Sequence, residues 1–128
     1  MKAIGEKRWI IPDGYIPPAS SGALESHESV CVLNTAERDA HLRFTIYFED
    51  REPLENIAYV VPARRTKHIR TSSLRDGGGR TIPAGGPYAI EVESDIPVVV
   101  QYSRLDSTQA ENALMSVVAY PIREEVGK

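Results

Sequence analysis

The sequence predicts an all-β protein, a two-sheet antiparallel β-sandwich of about eight strands. Apolar residues recur at period two, clusters of Pro, Gly, Asn and Asp interrupt them every 8 to 12 residues, and helical periodicity is almost absent. Short connections between such strands imply two packed sheets around one core, in an immunoglobulin-like or jelly-roll-like arrangement.

The first strand is KRWII, residues 7–11. Residues 13–26, DGYIPPASSGALES, form a long loop with turn chemistry at Pro17, Pro18 and Gly22, which either carries function or crosses between sheets. ESVCVLN (28–34) is the second strand and TAERD (35–39) a polar turn. AHLRFTIYF (40–48) is the third, with Leu42, Phe44, Ile46 and Phe48 on one face and His41, Arg43, Thr45 and Tyr47 on the other. Two such strands joined by five polar residues predict an antiparallel hairpin.

Charge and a proline in EDREP (49–53) end the third strand, and IAYVV (57–61) begins the fourth. Pro62 marks an edge, a bulge or a strand change, because proline cannot donate to a ladder. The chain continues extended towards Leu74 with Ile69 as its only large apolar residue after Val61, so one face of it is wet. RDGGGRTIPAGG (75–86) is a connector. PYAIEVES (87–94), with Tyr88, Ile90 and Val92 in phase, pairs as a hairpin with IPVVVQYSRL (96–105) through a turn at 93–95. DSTQAENA (106–113) is polar and long enough for one helical turn, LMSVVAY (114–120) is the last strand, and 121–128 is a tail.

At this length a chain is expected to form one domain, here 1–128, burying roughly two-thirds of its unfolded surface. Hydrophobic content of 41% and charged content of 26% are those of a globular protein and unlike a disordered or fibrous one. The first residues lack the apolar run of a secretory signal, and no stretch approaches the roughly 20 residues that span a bilayer. A cytoplasmic address is expected. Cys31 is the only cysteine, which excludes an intrachain disulfide and a multi-cysteine metal site, and within SVCVL it reads as a small buried hydrophobe.

No serine-nucleophile elbow, paired-histidine metalloprotease motif or papain-like cysteine neighbourhood occurs, so no enzyme is expected. The glycines at 77–79 lack the Lys-Ser/Thr of a phosphate loop and read as a flexible turn. His27, His41 and His68 would need to converge with a carboxylate such as Glu28 or Asp106 to hold a metal, and their spacing gives no support for that. The polar group Asp106, Gln109, Glu111 and Asn112 reads as a hydrogen-bonded turn or a subunit contact. Neither a cofactor nor a metal is expected.

The charge pattern is more specific. The chain carries −3 overall, yet residues 56–75 hold no Asp or Glu and carry +5 through Arg64, Arg65, Lys67, Arg70 and Arg75, leaving −8 for the remainder. Together with His68 this segment suits phosphates of nucleic acid, an acidic protein surface or anionic lipid headgroups, or else pairs with acids of its own domain or a neighbouring subunit. Tyr59 is the only aromatic nearby, which argues against a stacking platform for single strands.

The segments DGYIPP, SHESVCVLN, DAHLRFTIYFEDREP, VPARRTKHIRTSSL and IPVVVQYSRLDSTQAENALMSVVAY, in this order from about Gly14 to Tyr120, resemble the sensory rhodopsin transducer family. The connector 75–86 and the tail fit that pattern least. The resemblance implies an eight-stranded sandwich similar to carbohydrate-binding domains, a homotetramer about a four-fold axis, and relay of a photosignal from the cytoplasmic face of a membrane retinal protein. DNA binding is also implied for the family. By position it marks Arg64, Arg65, Lys67, His68 and Arg70 as contact residues, with Arg104 and Asp106 close behind. The leading expectation is a non-enzymatic cytoplasmic signal transducer that meets an acidic partner through its basic segment. The alternatives are a small-molecule or carbohydrate-binding sandwich, with His27, His68, Arg104 and Asp106 lining a pocket, and a DNA-binding regulator.

Overall fold

The computed structural model describes residues 2–18, 26–106 and 113–123. Among them are eight strands: β1 (Glu6–Tyr15), β2 (His27–Asn34), β3 (Ala40–Phe48), β4 (Leu54–Val61), β5 (Arg65–Arg70), β6 (Pro87–Asp106), β7 (Ala113–Val118) and β8 (Tyr120–Ile122), with a 3-10 turn at Thr71–Ser73. All pairings are antiparallel. The first sheet runs β4-β3-β6-β1-β8 and the second runs β5-β2-β6-β7, so β6 belongs to both.

This sharing corrects the hairpin expected at 87–105. Tyr88 to Ser94 pair with β3, Val99 to Leu105 pair with β2, and the chain passes between the sheets without reversing. A tight hairpin needs residues at positive φ, and none of residues 93–97 adopts it. The side-chain phase runs unbroken across the corner: Tyr88, Ile90, Val92, Ser94, Ile96, Val98, Val100 and Tyr102 are all buried. Gly5, at φ 114, lies so close to the Val98 carbonyl that a Cβ there would stand 1.9 Å from its oxygen. The Trp9 indole donates to the carbonyls of Val98 and Glu6, both at 3.0 Å.

The hairpin expected between β2 and β3 is likewise absent, since β2 pairs with β5 and β6 while β3 pairs with β4 and β6. Their apolar faces oppose each other across the core. Five residues can span roughly 16 Å, enough to cross sheets about 10 Å apart. The crossing is held by Asn34, which is fully buried at the end of β2. Its side-chain amide donates to the carbonyls of Arg38 (2.9 Å), Val61 (3.1 Å) and Pro62 (3.3 Å), and its Oδ1 accepts from the Ala36 amide (3.0 Å). Pro62 marks a strand change, as one of its expected roles required, because β4 and β5 lie in different sheets.

The expected last strand, 114–120, is two. β7 stays in the second sheet; at buried Ala119 the chain crosses, and β8 pairs with β1 in the first. The helical turn expected within 106–113 falls largely outside the described residues. One apolar cluster fills the sandwich, with Trp9, Val30, Val32, Phe44, Ile46, Ile69, Ile90 and Val100 among its members.

Asn34→Ala leaves the buried Val61 carbonyl and the part-buried carbonyls of Arg38 and Pro62 short of a donor and is expected to lower unfolding free energy by about 2 kcal/mol, read by urea denaturation with an unchanged slope.

Candidate functional site

The chain enters the second sheet through Arg64, whose backbone lies at φ 55, a left-handed conformation costing a non-glycine residue about 1 kcal/mol. The Arg64 amide donates to the Ala36 carbonyl at 3.0 Å, which fixes where β5 begins. β5 then pairs with β2 in uninterrupted register, from Asn34 opposite Arg65 to Ser29 opposite Arg70. It is an edge strand, and only Ile69 of its six residues is buried. Arg64, Arg65, Lys67, His68 and Arg70 are therefore all exposed along one edge.

The distribution of ion pairs sets this edge apart. Arg8, Arg38, Arg43, Arg51, Arg80, Arg104 and Arg123 each have a carboxylate within 4 Å. Among the described residues no carboxylate pairs with Arg64, Arg65, Lys67, Arg70 or Arg75, so the described acids leave the basic segment uncompensated. Arg65 instead donates to the Arg64 carbonyl at 3.0 Å.

Behind β5 lies a buried polar network that sequence reasoning did not assemble. Glu28, fully buried on β2, accepts from the Tyr15 amide (2.9 Å), from the Tyr88 hydroxyl in a short bond, and from Arg104 Nε (2.6 Å). Arg104 Nε also lies 3.1 Å from the Tyr102 hydroxyl, while its buried Nη2 finds no acceptor among the described residues. Buried Thr71, one residue past β5, completes the set by bonding Tyr88 at 3.1 Å. Burial raises the Tyr88 and Tyr102 phenols well above their ordinary value of 10.0, and the adjacent Glu28 carboxylate raises them further. Among the described residues no three His, Cys, Asp or Glu side chains gather as a metal site, and no helix is long and apolar enough to cross a membrane.

The sequence profile described as ASRT, Anabaena sensory rhodopsin transducer, matches residues 4–121. The chain belongs to the sensory rhodopsin transducer family. That match takes in the first strand and the glycine-rich connector as well as the segments singled out above. A solved structure of the Anabaena sensory rhodopsin transducer is 46% identical, covering 85% of this chain and 96% of its own, with a TM-score of 0.73. The crystal structure of Thermotoga maritima 1070 is 39% identical over 92% of this chain and 96% of its own, with a TM-score of 0.81. No curated protein matches the chain.

In this transducer-family fold the residues singled out from sequence do not form one site. Arg64, Arg65, Lys67, His68 and Arg70 gather on the β5 edge. Arg104 shares the inward phase of β6 with Tyr102, whereas His68 lies in the outward phase, directly across from Cys31. His27 stands four residues from Cys31 along β2, roughly 13 Å. Asp106 ends β6, with its side chain outside the described residues. A pocket lined by His27, His68, Arg104 and Asp106 is therefore not assembled by these strands. Sequence reasoning missed the convergence of Tyr88 and Arg104 on Glu28, with Tyr102 beside Arg104, because it depends on β6 being a single strand.

Arg104→Ala, which leaves the Glu28 carboxylate without its counter-charge, is expected to cost about 3 kcal/mol, and Glu28→Gln with Arg104→Met to recover most of it in urea denaturation. Because both raised phenols keep their protons in the folded state after the unfolded chain has released its own, their stabilisation is present below pH 10 and lost as pH rises past it. An ultraviolet titration of the native protein should show two tyrosines ionising only with unfolding.

Proposed function

We propose that the chain is a non-enzymatic, cytoplasmic signal-relay protein that docks through β5 onto an acidic face of a membrane sensory receptor of the rhodopsin class. The observation that carries this reading is the uncompensated edge: every described arginine outside 64–75 has a carboxylate partner, and those within it have none among the described residues. Such a patch accelerates encounter with an acidic surface and sets orientation, in a salt-dependent way. Family membership and the Anabaena relative's name support the rhodopsin partner.

The relay works as a homotetramer, with docking shifting subunit or strand-edge packing. Support for self-association comes from the opposite edge of the second sheet. Leu114 (81% exposed), Met115, Val117 and Val118 (63% exposed) leave β7 apolar on both faces. Beside it a groove of about 560 Å³ opens between β1 and β7–β8, floored by Tyr102. Contiguous apolar surface of this kind marks interfaces in soluble proteins.

The test is receptor binding by detergent-solubilised membranes containing a sensory rhodopsin, followed by retinal absorbance. Arg64→Glu with Arg65→Glu is expected to weaken binding by at least about tenfold and to flatten its salt dependence. Arg64→Gly removes one charge at a backbone conformation that glycine prefers, so it should weaken binding without loss of thermal stability. Unchanged affinity in both variants would overturn the reading.

A further inference from the structure

We propose that β5 receives its partner as an added strand: an extended acidic peptide segment pairs with the open edge of the second sheet. This deepens the docking reading above and rests on it. Strand addition needs an unpaired, straight edge, and alternate N–H and C=O groups of β5 point away from β2, its only partner strand among the described residues. The six-residue register is free of bulges, and β5 contains no proline.

The other described edges differ. β4 carries a register shift near Ile46 and a positive φ at Asn56, β8 is three residues long with Pro121 at its centre, and β7 is apolar. Among the described residues, charge is the guard on β5. Two copies of it would place like charges directly opposite, which repels self-pairing and leaves strands of opposite sign as the acceptable guests.

The charges also occupy both sheet faces. Arg65 and Lys67 share the phase of Ile69, while His68 and Arg70 share the phase of Thr66. A rigid acidic surface laid on the outer face reaches only the second pair. A strand added at the edge, with carboxylates at successive positions, meets all four basic side chains. The edge is also pre-ordered, pinned at one end by the Arg64 amide on Ala36 and at the other by Thr71 in the buried network, so ordering cost falls on the guest.

The experiment measures binding of the whole protein, at low and high salt, by fluorescence anisotropy to five labelled probes. These are a capped octapeptide with four successive Glu residues flanked by Thr and Val, its two versions N-methylated at alternate residues in either phase, a stapled helix of equal charge, and a short DNA duplex. Hydrogen exchange reads the β5 amides. The expected result is binding by the octapeptide and by one N-methylated version, a loss of about tenfold or more in the other version and in the helix, and new protection of alternate β5 amides. Equal binding by all four peptides, abolished by Arg64→Glu with Arg65→Glu, would keep acidic docking and overturn strand addition. Binding of the duplex alone, or of no probe at low salt, would overturn both.

Discussion

Glu28 is the constraint to which the rest of this sandwich answers. A carboxylate placed in the core without partners would cost several kcal/mol, so the fold has to deliver donors to it. They come from both sheets. Tyr15 supplies its amide from β1, Tyr88 reaches in from the first-sheet half of β6, and Arg104 from the second-sheet half. The two halves of one strand are thereby tied to a single buried atom pair, which holds the corner between them. Thr71, bonded to the same Tyr88 hydroxyl, makes the end of β5 part of that arrangement.

From this core the surface chemistry follows. Because β6 serves both sheets, the second sheet is narrow, and its two edges carry opposite characters: basic on β5, apolar on β7. An edge strand is normally a hazard, since its free backbone groups invite pairing with any chain. Here each edge restricts its guests by different means, one by charge and the other by apolar surface that suits a like surface. The buried network and the cationic edge are coupled mechanically as well. Asn34 and Ala36 position the start of β5, and Glu28 and Thr71 position its finish, so the cations sit on a rigid support although they themselves are solvated.

Much of this was legible in the chain. The alternation in β3 placed Leu42, Phe44 and Ile46 in the core, Pro62 announced a strand change, and the absence of acids between Asn56 and Arg75 located the cationic edge. The misread hairpins came from turn composition. Asp and Ser at 93–95 look like a reversal, and the polar run 35–39 looks like a loop between neighbours. The contrary signal at the first position was present, since Tyr88 through Tyr102 keep one even-numbered phase across the supposed turn, which a true hairpin of that length has no need to preserve. At 35–39 no comparable signal exists, because a five-residue link serves equally to join adjacent strands or to cross a core.

The sequence by itself determined the class of fold, the inward face of strands such as β3 and where the run of basic residues lies, because strand periodicity and charge runs are local properties written in neighbouring residues. Only the tertiary structure decided which strands pair, that β5 is an edge, and that Glu28, Tyr88, Tyr102 and Arg104 meet. Those are contacts between residues as much as 76 positions apart. They depend on how two sheets face each other across an apolar core, which no local pattern encodes.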